Sequence, residues 1–296
     1  MTGRSAYPVL LVGVLAVSFA AVFIRLAFEA VGARGLPESV LIAAGRLLVA
    51  SFLVAPLAAP SRPWRRVRRP LGIAALAGVF LGLHFLLWIA SLAYTSIAAS
   101  TTLVTTNPVW IALVEAFFFK KNIAPATWLG IGLAVLGGAV IGLADAGGTA
   151  AGPAPLFGDL LALLGAWAVS LYFLLGREAQ RALGTTGYVG VAYPAAALFL
   201  LPLPWLLGES YLGHAPPFYL WVFLLAAVPQ MLGHTSLNYA VRFLGPTIVT
   251  LFVLFEPVIA SVLGFFFFKE IPPPGVFLGA GVLLLGVGIA VRAKLS

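Results

Sequence analysis

Polar side chains recur at helical spacing inside otherwise apolar stretches of the sequence. His84 and Trp88 are four residues apart, and Gln230, His234 and Asn238 follow one another at the same interval. Residues four apart share one face of an α-helix. Imidazole and amide groups can hydrogen-bond a small polar ligand, and histidine can also carry protons because it titrates near neutral pH. The structural alternatives are a histidine that donates to a neighbouring hydroxyl and an asparagine that joins two helices.

Two dipeptides that contain proline interrupt apolar stretches: Asn107-Pro108 and Glu256-Pro257. Proline has no backbone N–H, so each removes one helical hydrogen bond and frees a carbonyl group that can face a ligand. We therefore expect hinges at Pro108 and Pro257. Glu256 is the only carboxylate at the middle of an apolar stretch. It either couples the protein to an ion or satisfies backbone groups around the bend.

Ten residues form the candidate binding set, because they are polar or aromatic and lie on faces that apolar surroundings would not favour. They are His84, Trp88, Thr106, Asn107, Trp110, Trp167, Ser170, His234, Asn238 and Tyr239. Such a lining suits a small amphiphile with an apolar or aromatic body and a compact polar head. For the three tryptophans, ordinary helix packing is an equally good interpretation. A strong anion fits poorly, since only Arg46 lies deep enough in an apolar stretch to receive it.

The elements that carry these residues are predicted to be membrane-spanning helices. Hydrophobic residues make up 62% of the chain and charged residues 9%, and the mean hydropathy is +1.09, which excludes a water-soluble globule. Unbroken apolar runs of about 20 residues cross a ~30 Å hydrocarbon core as helices, whereas the strands of a β-barrel alternate in polarity. Ten runs occur, at 8–30, 37–59, 71–92, 97–119, 125–145, 157–177, 187–207, 217–238, 246–268 and 273–293. We predict an all-α membrane protein with ten transmembrane helices.

The chain contains an internal repeat with a shift of 149 residues. Of the 30 positions from 108 to 137, 12 are identical to their counterparts from 257 to 286. The matches include Pro108 with Pro257, and Phe-Phe-Phe-Lys at 117–120 with the same residues at 266–269. This period predicts two five-helix domains, at 1–146 and 156–293.

Lysine and arginine residues predict how the helices are oriented. The separators on the side of both termini hold thirteen of these residues in total, against two on the opposite side. Both termini are therefore expected in the cytoplasm. Because five helices is an odd number, the second domain enters the membrane inverted relative to the first. Inverted repeats are typical of transporters, in which the two halves exchange conformations around a site at their interface.

The repeated segments resemble the EamA domain of the drug/metabolite transporter superfamily, and the resemblance covers the whole chain. The segments are Ala93-Tyr94-Thr95-Ser96, Asn107-Pro108, Phe119-Lys120 and Trp128-Leu129-Gly130, repeated as Phe243-Leu244-Gly245-Pro246, Glu256-Pro257, Phe268-Lys269 and Phe277-Leu278-Gly279. The resemblance implies ten helices, export of small metabolites and no ATP-binding domain. Among members of the superfamily, the aromatic-lined middle of the chain looks most like the bacterial aromatic amino-acid exporters. The first copy departs from the family pattern, with Lys120-Lys121 where the second has Lys269-Glu270.

We expect a secondary transporter of the bacterial inner membrane that exports small amphiphilic metabolites, aromatic and hydrophobic amino acids above all. The alternative is a multidrug exporter of lipophilic cations, because tryptophan faces also attract cations. A channel is less favoured, since no filter segment is present, and so is an intramembrane enzyme, since no nucleophile motif, metal motif or paired carboxylates occur. The absence of cysteine excludes thiolate metal sites.

The expected partners are a small-molecule substrate and the lipid bilayer, with the protein acting as a monomer and without a cofactor or metal ion. The net charge of +8 does not predict nucleic-acid binding, because the basic residues separate apolar runs.

Overall fold

The computed structural model describes residues 6–58, 67–117, 120, 124–146 and 152–295. The helices are α1 (Ala6–Ser18), α2 (Ala20–Val31), α3 (Leu36–Val54), α4 (Arg68–Tyr94), α5 (Ile97–Val104), α6 (Asn107–Phe117), α7 (Pro125–Ala146), α8 (Pro155–Leu200), α9 (Leu203–Leu206), α10 (Pro216–Leu225), α11 (Thr235–Leu244), α12 (Pro246–Val253), α13 (Glu256–Phe268) and α14 (Pro274–Leu295). A 3-10 turn, Ala55–Leu57, follows α3, and a π-helical segment, Ala226–His234, joins α10 to α11. Because the described residues contain no strand, the prediction of an all-α protein is confirmed for them.

Six helical stretches are long and apolar enough to cross a membrane: Ala6–Val31, Leu36–Leu57, Arg68–Tyr94, Ile97–Val114, Pro155–Leu206 and Pro216–Leu244. Three shorter apolar helices are Pro125–Ile141, Glu256–Phe268 and Pro274–Ala290. Large apolar side chains such as Phe52 and Leu143 lie on the outer surface, 77% and 75% exposed, where lipid would cover them. The protein is therefore a multi-pass membrane protein.

The longest helix, α8, turns back at Gly184. The φ of 69° and ψ of 174° at this residue are not helical, and a positive φ favours glycine. The part before Gly184 runs antiparallel to α4, and the part after it runs parallel to α4. Neighbouring pairs, in order along α8, are Gly158 with Thr95, Gly165 with Trp88, Ala192 with Gly78 and Ala196 with Gly82.

Two interrupted helices occupy equivalent positions in the sequence repeat. Helix α5 ends at Val104 and α6 begins at Asn107, while α12 ends at Val253 and α13 begins at Glu256. A shift of 149 residues superimposes both boundaries. In a continuous helix, the N–H groups of residues 108 and 257 would donate to the carbonyls of Val104 and Val253. Proline supplies no such donor, so each preceding helix ends at the carbonyl that loses its partner.

A second backbone feature also repeats. Lys120 and Lys269 have positive φ angles of 49° and 55°, and they are the only residues other than glycine that do so in the described part of the chain. Lys269 is the left-handed cap that ends α13. These equivalent positions therefore share an uncommon backbone conformation as well as their residue type.

Helices α7 and α14 pack against each other through glycines that correspond in the repeat. A Cβ on Gly286 would lie 2.6 Å from the carbonyl oxygen of Gly130, and a Cβ on Gly279 would lie 2.8 Å from that of Gly137. Only glycine permits this close approach of two helix backbones. We call this contact the glycine seam, formed by Gly130, Gly137, Gly279 and Gly286.

Candidate functional site

A small cavity of about 30 Å³ lies where α1, α2, α4, α8 and α11 meet the two interrupted helices. It is lined by Val17, Ala20, His84, Trp88, Val104, Thr105, Asn107, Val169, Phe173, His234, Leu237, Val253 and Glu256. We call it the central cavity. Its volume is enough for one or two water molecules and too small for an amino acid. The conformation described here is therefore a closed one at this position.

The lining of the central cavity comes in pairs that the sequence repeat relates. Four pairs of lining residues differ by 149 in number: Ala20 with Val169, Trp88 with Leu237, Val104 with Val253, and Asn107 with Glu256. Each half of the chain therefore contributes equivalent positions to one space. A cavity built in this way lies between the two repeats.

Two histidines face the central cavity. The Nδ1 atom of His84 donates to the carbonyl oxygen of Gly165 at 2.9 Å, and because a carbonyl only accepts, this nitrogen carries the proton. The His84 ring also stacks on Trp88, with centroids 6.0 Å apart and planes 6° apart. The ring of His234 lies 6.3 Å from that of His84. The Nδ1 atom of His234 is buried and has no hydrogen-bond partner within the described residues.

Asn107 and Glu256 supply oxygen atoms to the wall of the central cavity. They are the first residues of α6 and α13, where the positive end of a helix dipole stabilises negative charge. The Oδ1 atom of Asn107 is buried without a hydrogen-bond donor in the described part of the chain. The Glu256 carboxylate is 7% exposed. This wall therefore offers acceptors to a cationic or hydrogen-bond-donating group.

Arg46 and Gln230 lie behind the histidines, and neither belongs to the candidate binding set. Arg46 is fully buried, and its Nε donates to Gln230 Oε1 at 3.1 Å. Its guanidinium carbon lies 3.8 Å from the centre of the Phe85 ring. The Phe85 and His234 rings pack edge-to-face, with centroids 5.1 Å apart. In the sequence, Arg46 stands out because a charged residue deep within a membrane helix is rare.

Four of the ten candidate residues line the central cavity: His84, Trp88, Asn107 and His234. Two more pack beside residues that line it. The Ser170 hydroxyl donates to the carbonyl oxygens of Ala166 at 2.7 Å and Asn107 at 3.2 Å. Asn238 Nδ2 donates to the Tyr172 hydroxyl at 2.6 Å and to the His234 carbonyl at 2.8 Å.

The other four candidates do not line the central cavity. Thr106 and Trp110 line a separate, mainly apolar groove of about 570 Å³ between α5, α6, α7 and α8. The Trp110 Nε1 donates to the Thr106 hydroxyl at 3.1 Å. Trp167 is 37% exposed and contacts Phe80 edge-on at 6.0 Å. Tyr239 lies against Phe243, with ring centroids 4.7 Å apart.

The two candidate hinges lie at the interruptions that border the central cavity. Pro108 and Pro257 each occupy the second position of a helix, directly after the lining residues Asn107 and Glu256. A proline in the first helical turn is tolerated, because its missing N–H has no partner there. Any rotation of α6 or α13 about these points would move an oxygen-bearing residue of the cavity wall.

A polar network joins the two halves of the chain at one end of the bundle. Arg25 Nη2 donates to the Thr95 carbonyl at 2.7 Å, and Arg25 Nη1 lies 3.8 Å from Glu270 Oε2. Glu270 Oε1 accepts the backbone N–H of Ile97 at 2.6 Å, and the Thr95 hydroxyl donates to Asp159 Oδ1 at 2.8 Å. We call Arg25, Thr95, Asp159 and Glu270 the end network. The sequence did not predict this network. The departure from the family pattern at Lys120-Lys121, however, includes the position that corresponds to Glu270.

The chain is similar to proteins of other bacteria, among them the following three. An "Uncharacterized transporter YdfC" of Bacillus subtilis is 25% identical over 210 residues, or 70% of this chain and 67% of that protein. A "Probable terminal-alkyne amino-acid exporter" of Streptantibioticus cattleyicolor is 28% identical over 279 residues, or 92% of this chain and 89% of that one. A "Probable 4-amino-4-deoxy-L-arabinose-phosphoundecaprenol flippase subunit ArnE" of Klebsiella pneumoniae is 32% identical over 83 residues, or 28% of this chain and 74% of that one.

Similarity in fold extends over nearly the whole chain. A solved crystal structure superimposes with a TM-score of 0.63, covering 97% of this chain and 98% of the other at 20% identity. The sequence model of the EamA-like transporter family matches residues 4–143 and again residues 156–292. The members of that family are transporters. With both halves matched, this chain belongs to the EamA-like transporter family.

Proposed function

We propose that the protein is a secondary transporter that exports small amphiphilic metabolites, chiefly aromatic and hydrophobic amino acids, across the bacterial inner membrane. The observation that carries this proposal is the central cavity, to which both repeats contribute equivalent residues. A site between two inverted repeats can open to either side of the membrane as the repeats exchange conformations. The protein works as a monomer in the lipid bilayer, without a cofactor.

The proposed topology has ten spans in two inverted domains, 1–146 and 156–293, with both termini in the cytoplasm. Six helical stretches are long and apolar enough to cross a membrane. One of them, Pro155–Leu206, contains the chain reversal at Gly184 and accounts for two crossings. The helices Pro125–Ile141, Glu256–Phe268 and Pro274–Ala290 complete the ten. The matching interruptions before Asn107 and Glu256 support the division into two repeats.

The residues of the cavity wall favour one class of substrate. Trp88, Phe173 and the imidazole of His84 offer ring faces, on which an aromatic side chain gains about 0.5–1.5 kcal/mol per pair. Asn107 and Glu256 offer acceptors for the polar head. The amino-acid exporter of S. cattleyicolor, which aligns with 92% of this chain, supports an amino-acid substrate. Because the closed cavity holds only about 30 Å³, substrate enters another conformation, in which the wall has moved.

The end network supports a specific access state. In the proposed topology it lies at the periplasmic end, where it connects α2 and the start of α5 to α8 and the end of α13. Equivalent positions at the cytoplasmic end hold Leu10, Lys121, Leu174 and Leu244, which cannot form the same contacts. Lys121 is outside the described residues. We therefore propose that charged contacts close the periplasmic end alone. This conformation would then open more readily toward the cytoplasm.

Two movable elements complete the proposed mechanism. Pro108 and Pro257 act as hinges, about which α6 and α13 rotate to open one end or the other. Glu256, the only carboxylate that lines the central cavity within the described residues, is the proposed coupling group. Proton release from Glu256 on one side of the membrane would make the cavity wall anionic before substrate arrives.

An exporter of lipophilic cations is the second candidate, because Glu256 and the Trp88 ring would both attract a cation. Counterflow in proteoliposomes separates the two. We expect efflux of labelled phenylalanine to accelerate when unlabelled phenylalanine, tryptophan or methionine is supplied on the opposite side. A response to a quaternary ammonium dye instead of these amino acids would replace the amino-acid proposal with the second candidate. Efflux that no trans ligand accelerates would indicate a channel.

A further inference from the structure

We infer that Arg46 and Gln230 form the site for the carboxylate of the substrate, and that Asn107 and Glu256 receive its ammonium group. The protein would then select zwitterionic α-amino acids over amines and over acids that carry only one of the two charges. The inference rests on the proposed export of amino acids and specifies which groups recognise the substrate.

The first observation is a buried cation with no carboxylate in contact, since Glu256 attracts it only from beyond salt-bridge distance. Arg46 has no exposed surface, and within the described residues no carboxylate oxygen lies within 4 Å of it. Its Nη1 and Nη2 atoms are buried and make no hydrogen bond in that part of the chain. A charge removed from water is costly unless it is paired. One neutral bond to Gln230 and the Phe85 ring leave most of the guanidinium donors unused.

The unused donors have the arrangement that a carboxylate needs. The guanidinium group presents N–H donors in a planar fork that matches two carboxylate oxygens. Its Nε is already fixed by Gln230 Oε1 at 3.1 Å, which orients the plane. The amide nitrogen of Gln230 is also buried without an acceptor in the described residues. Arg46 and Gln230 together therefore offer donors on two side chains, one from each half of the chain.

The donor site lies one side chain behind the wall of the central cavity. The Phe85 ring contacts both, with Arg46 over its centre at 3.8 Å and the His234 ring edge-to-face with it at 5.1 Å between centroids. His234 lies four residues after Gln230 in the same π-helical segment and itself lines the cavity. When the cavity enlarges to admit substrate, displacement of Phe85 or His234 would open Arg46 to it.

Asn107 and Glu256 in the cavity wall have the complementary chemistry. Asn107 Oδ1 lacks a donor among the described residues, and the Glu256 carboxylate contributes a negative charge. Arg46 and Gln230 thus offer hydrogen-bond donors, while Asn107 and Glu256 offer acceptors. An α-amino acid carries its ammonium and carboxylate groups on the same carbon atom, so it can satisfy the donors and the acceptors together. An amine or an acid would leave one of the two unsatisfied.

The test uses the full-length protein in proteoliposomes with three probes: phenylalanine, phenethylamine, which lacks the carboxylate, and 3-phenylpropionate, which lacks the amine. We expect the wild type to prefer phenylalanine to each of the others by about tenfold or more, as the loss of a charged hydrogen bond predicts. Arg46→Gln should remove the preference over phenethylamine. Glu256→Gln should remove the preference over 3-phenylpropionate.

Gln230→Glu is the decisive variant, because it places a carboxylate beside Arg46 and satisfies the buried cation within the protein. It should fold at least as well as the wild type and lose the preference for phenylalanine over phenethylamine. An unchanged preference in a folded Gln230→Glu protein would overturn the inference. So would equal losses of phenylalanine and phenethylamine binding in Arg46→Gln, since these indicate a purely structural Arg46. Failure of the wild type to bind phenylalanine at all would overturn the proposed function as well.

Discussion

The glycine seam and the central cavity are built from the same repeat but differ in how well they keep its symmetry. In the seam, Gly130 meets Gly286 and Gly137 meets Gly279, so each contact has an equivalent made by the other half. In the cavity, Asn107 occupies the position that Glu256 has in the second half. The scaffold is symmetric where backbones touch, and asymmetric where the cavity wall carries charge. In the proposed mechanism, the symmetric scaffold lets the two halves exchange conformations, while the asymmetric wall confines the carboxylate to one half.

The largest effect is expected when the seam itself is broken. Gly137→Leu would place a side chain into the backbone of α14, where a Cβ alone would lie 2.6 Å from the Gly279 carbonyl oxygen. Overpacking of this kind costs about 1–3 kcal/mol, and more where backbones must separate. We expect a large fall in the thermal unfolding temperature in detergent. Gly132→Leu is the matched control, because nothing lies within 4 Å of a Cβ there. Equal stability of the two variants would mean that the seam is not a close contact.

Making the cavity symmetric is expected to have the next largest effect. Glu256→Asn gives both repeats the same residue and removes the carboxylate, so we expect the apparent affinity for phenylalanine to fall about tenfold or more. The exchanged double variant, Asn107→Glu with Glu256→Asn, returns a carboxylate to the same cavity from the other half. Partial recovery of binding in counterflow assays is expected. If the double variant is as impaired as the single one, the two positions do not share one site.

The end network can be opened without touching the cavity. Glu270→Gln removes the ion pair with Arg25 and weakens the bond to the backbone of Ile97. Charged contacts of this kind are worth about 1.5–3 kcal/mol, so access should shift roughly tenfold toward the periplasm. A Val253→Cys substitution in this cysteine-free chain introduces one labelling site in the cavity wall. The rate at which a membrane-impermeant maleimide labels it on intact cells measures access from the periplasm.

Glu29→Gln is the control for this experiment, because it also removes an ion pair with an arginine. The side chains of Arg34 and Glu29 are 41% and 48% exposed, and exposed pairs contribute little. We expect no change in labelling. If Glu270→Gln and Glu29→Gln label at the same rate as the parent, the end network does not hold the periplasmic end closed.

The smallest effect is expected at the hinges. Pro108→Ala and Pro257→Ala each restore an N–H that can donate to Val104 or Val253, which would straighten one interrupted helix. We expect the transport rate to change severalfold and labelling to favour one side. Pro125→Ala is the control, because Pro125 begins α7, where a first-turn N–H has no helical partner. Unaltered rates and labelling in both hinge variants would rule out hinge motion at these residues.

The sequence by itself determined the class of structure and its division into repeats. Apolar runs of membrane-spanning length cannot form anything but helices in lipid. The shift of 149 residues identified Asn107 and Glu256 as equivalents, and the prolines after them marked the interruptions now seen at Val104 and Val253. Local chemistry was enough here, because a missing N–H and an apolar surface act wherever the helix is placed.

Only the tertiary structure decided which helix faces meet. Trp110 and Trp167 have the residue type of a ligand-binding wall, yet they lie in the apolar groove and at the outer surface, while Arg46 lies behind His234. In a soluble helix the polar face indicates the exterior, but in a membrane both lipid and protein interior are apolar. The direction of each side chain therefore follows from how the helices pack. The meeting of Arg25 with Glu270, 245 residues apart, could likewise come only from the folded chain.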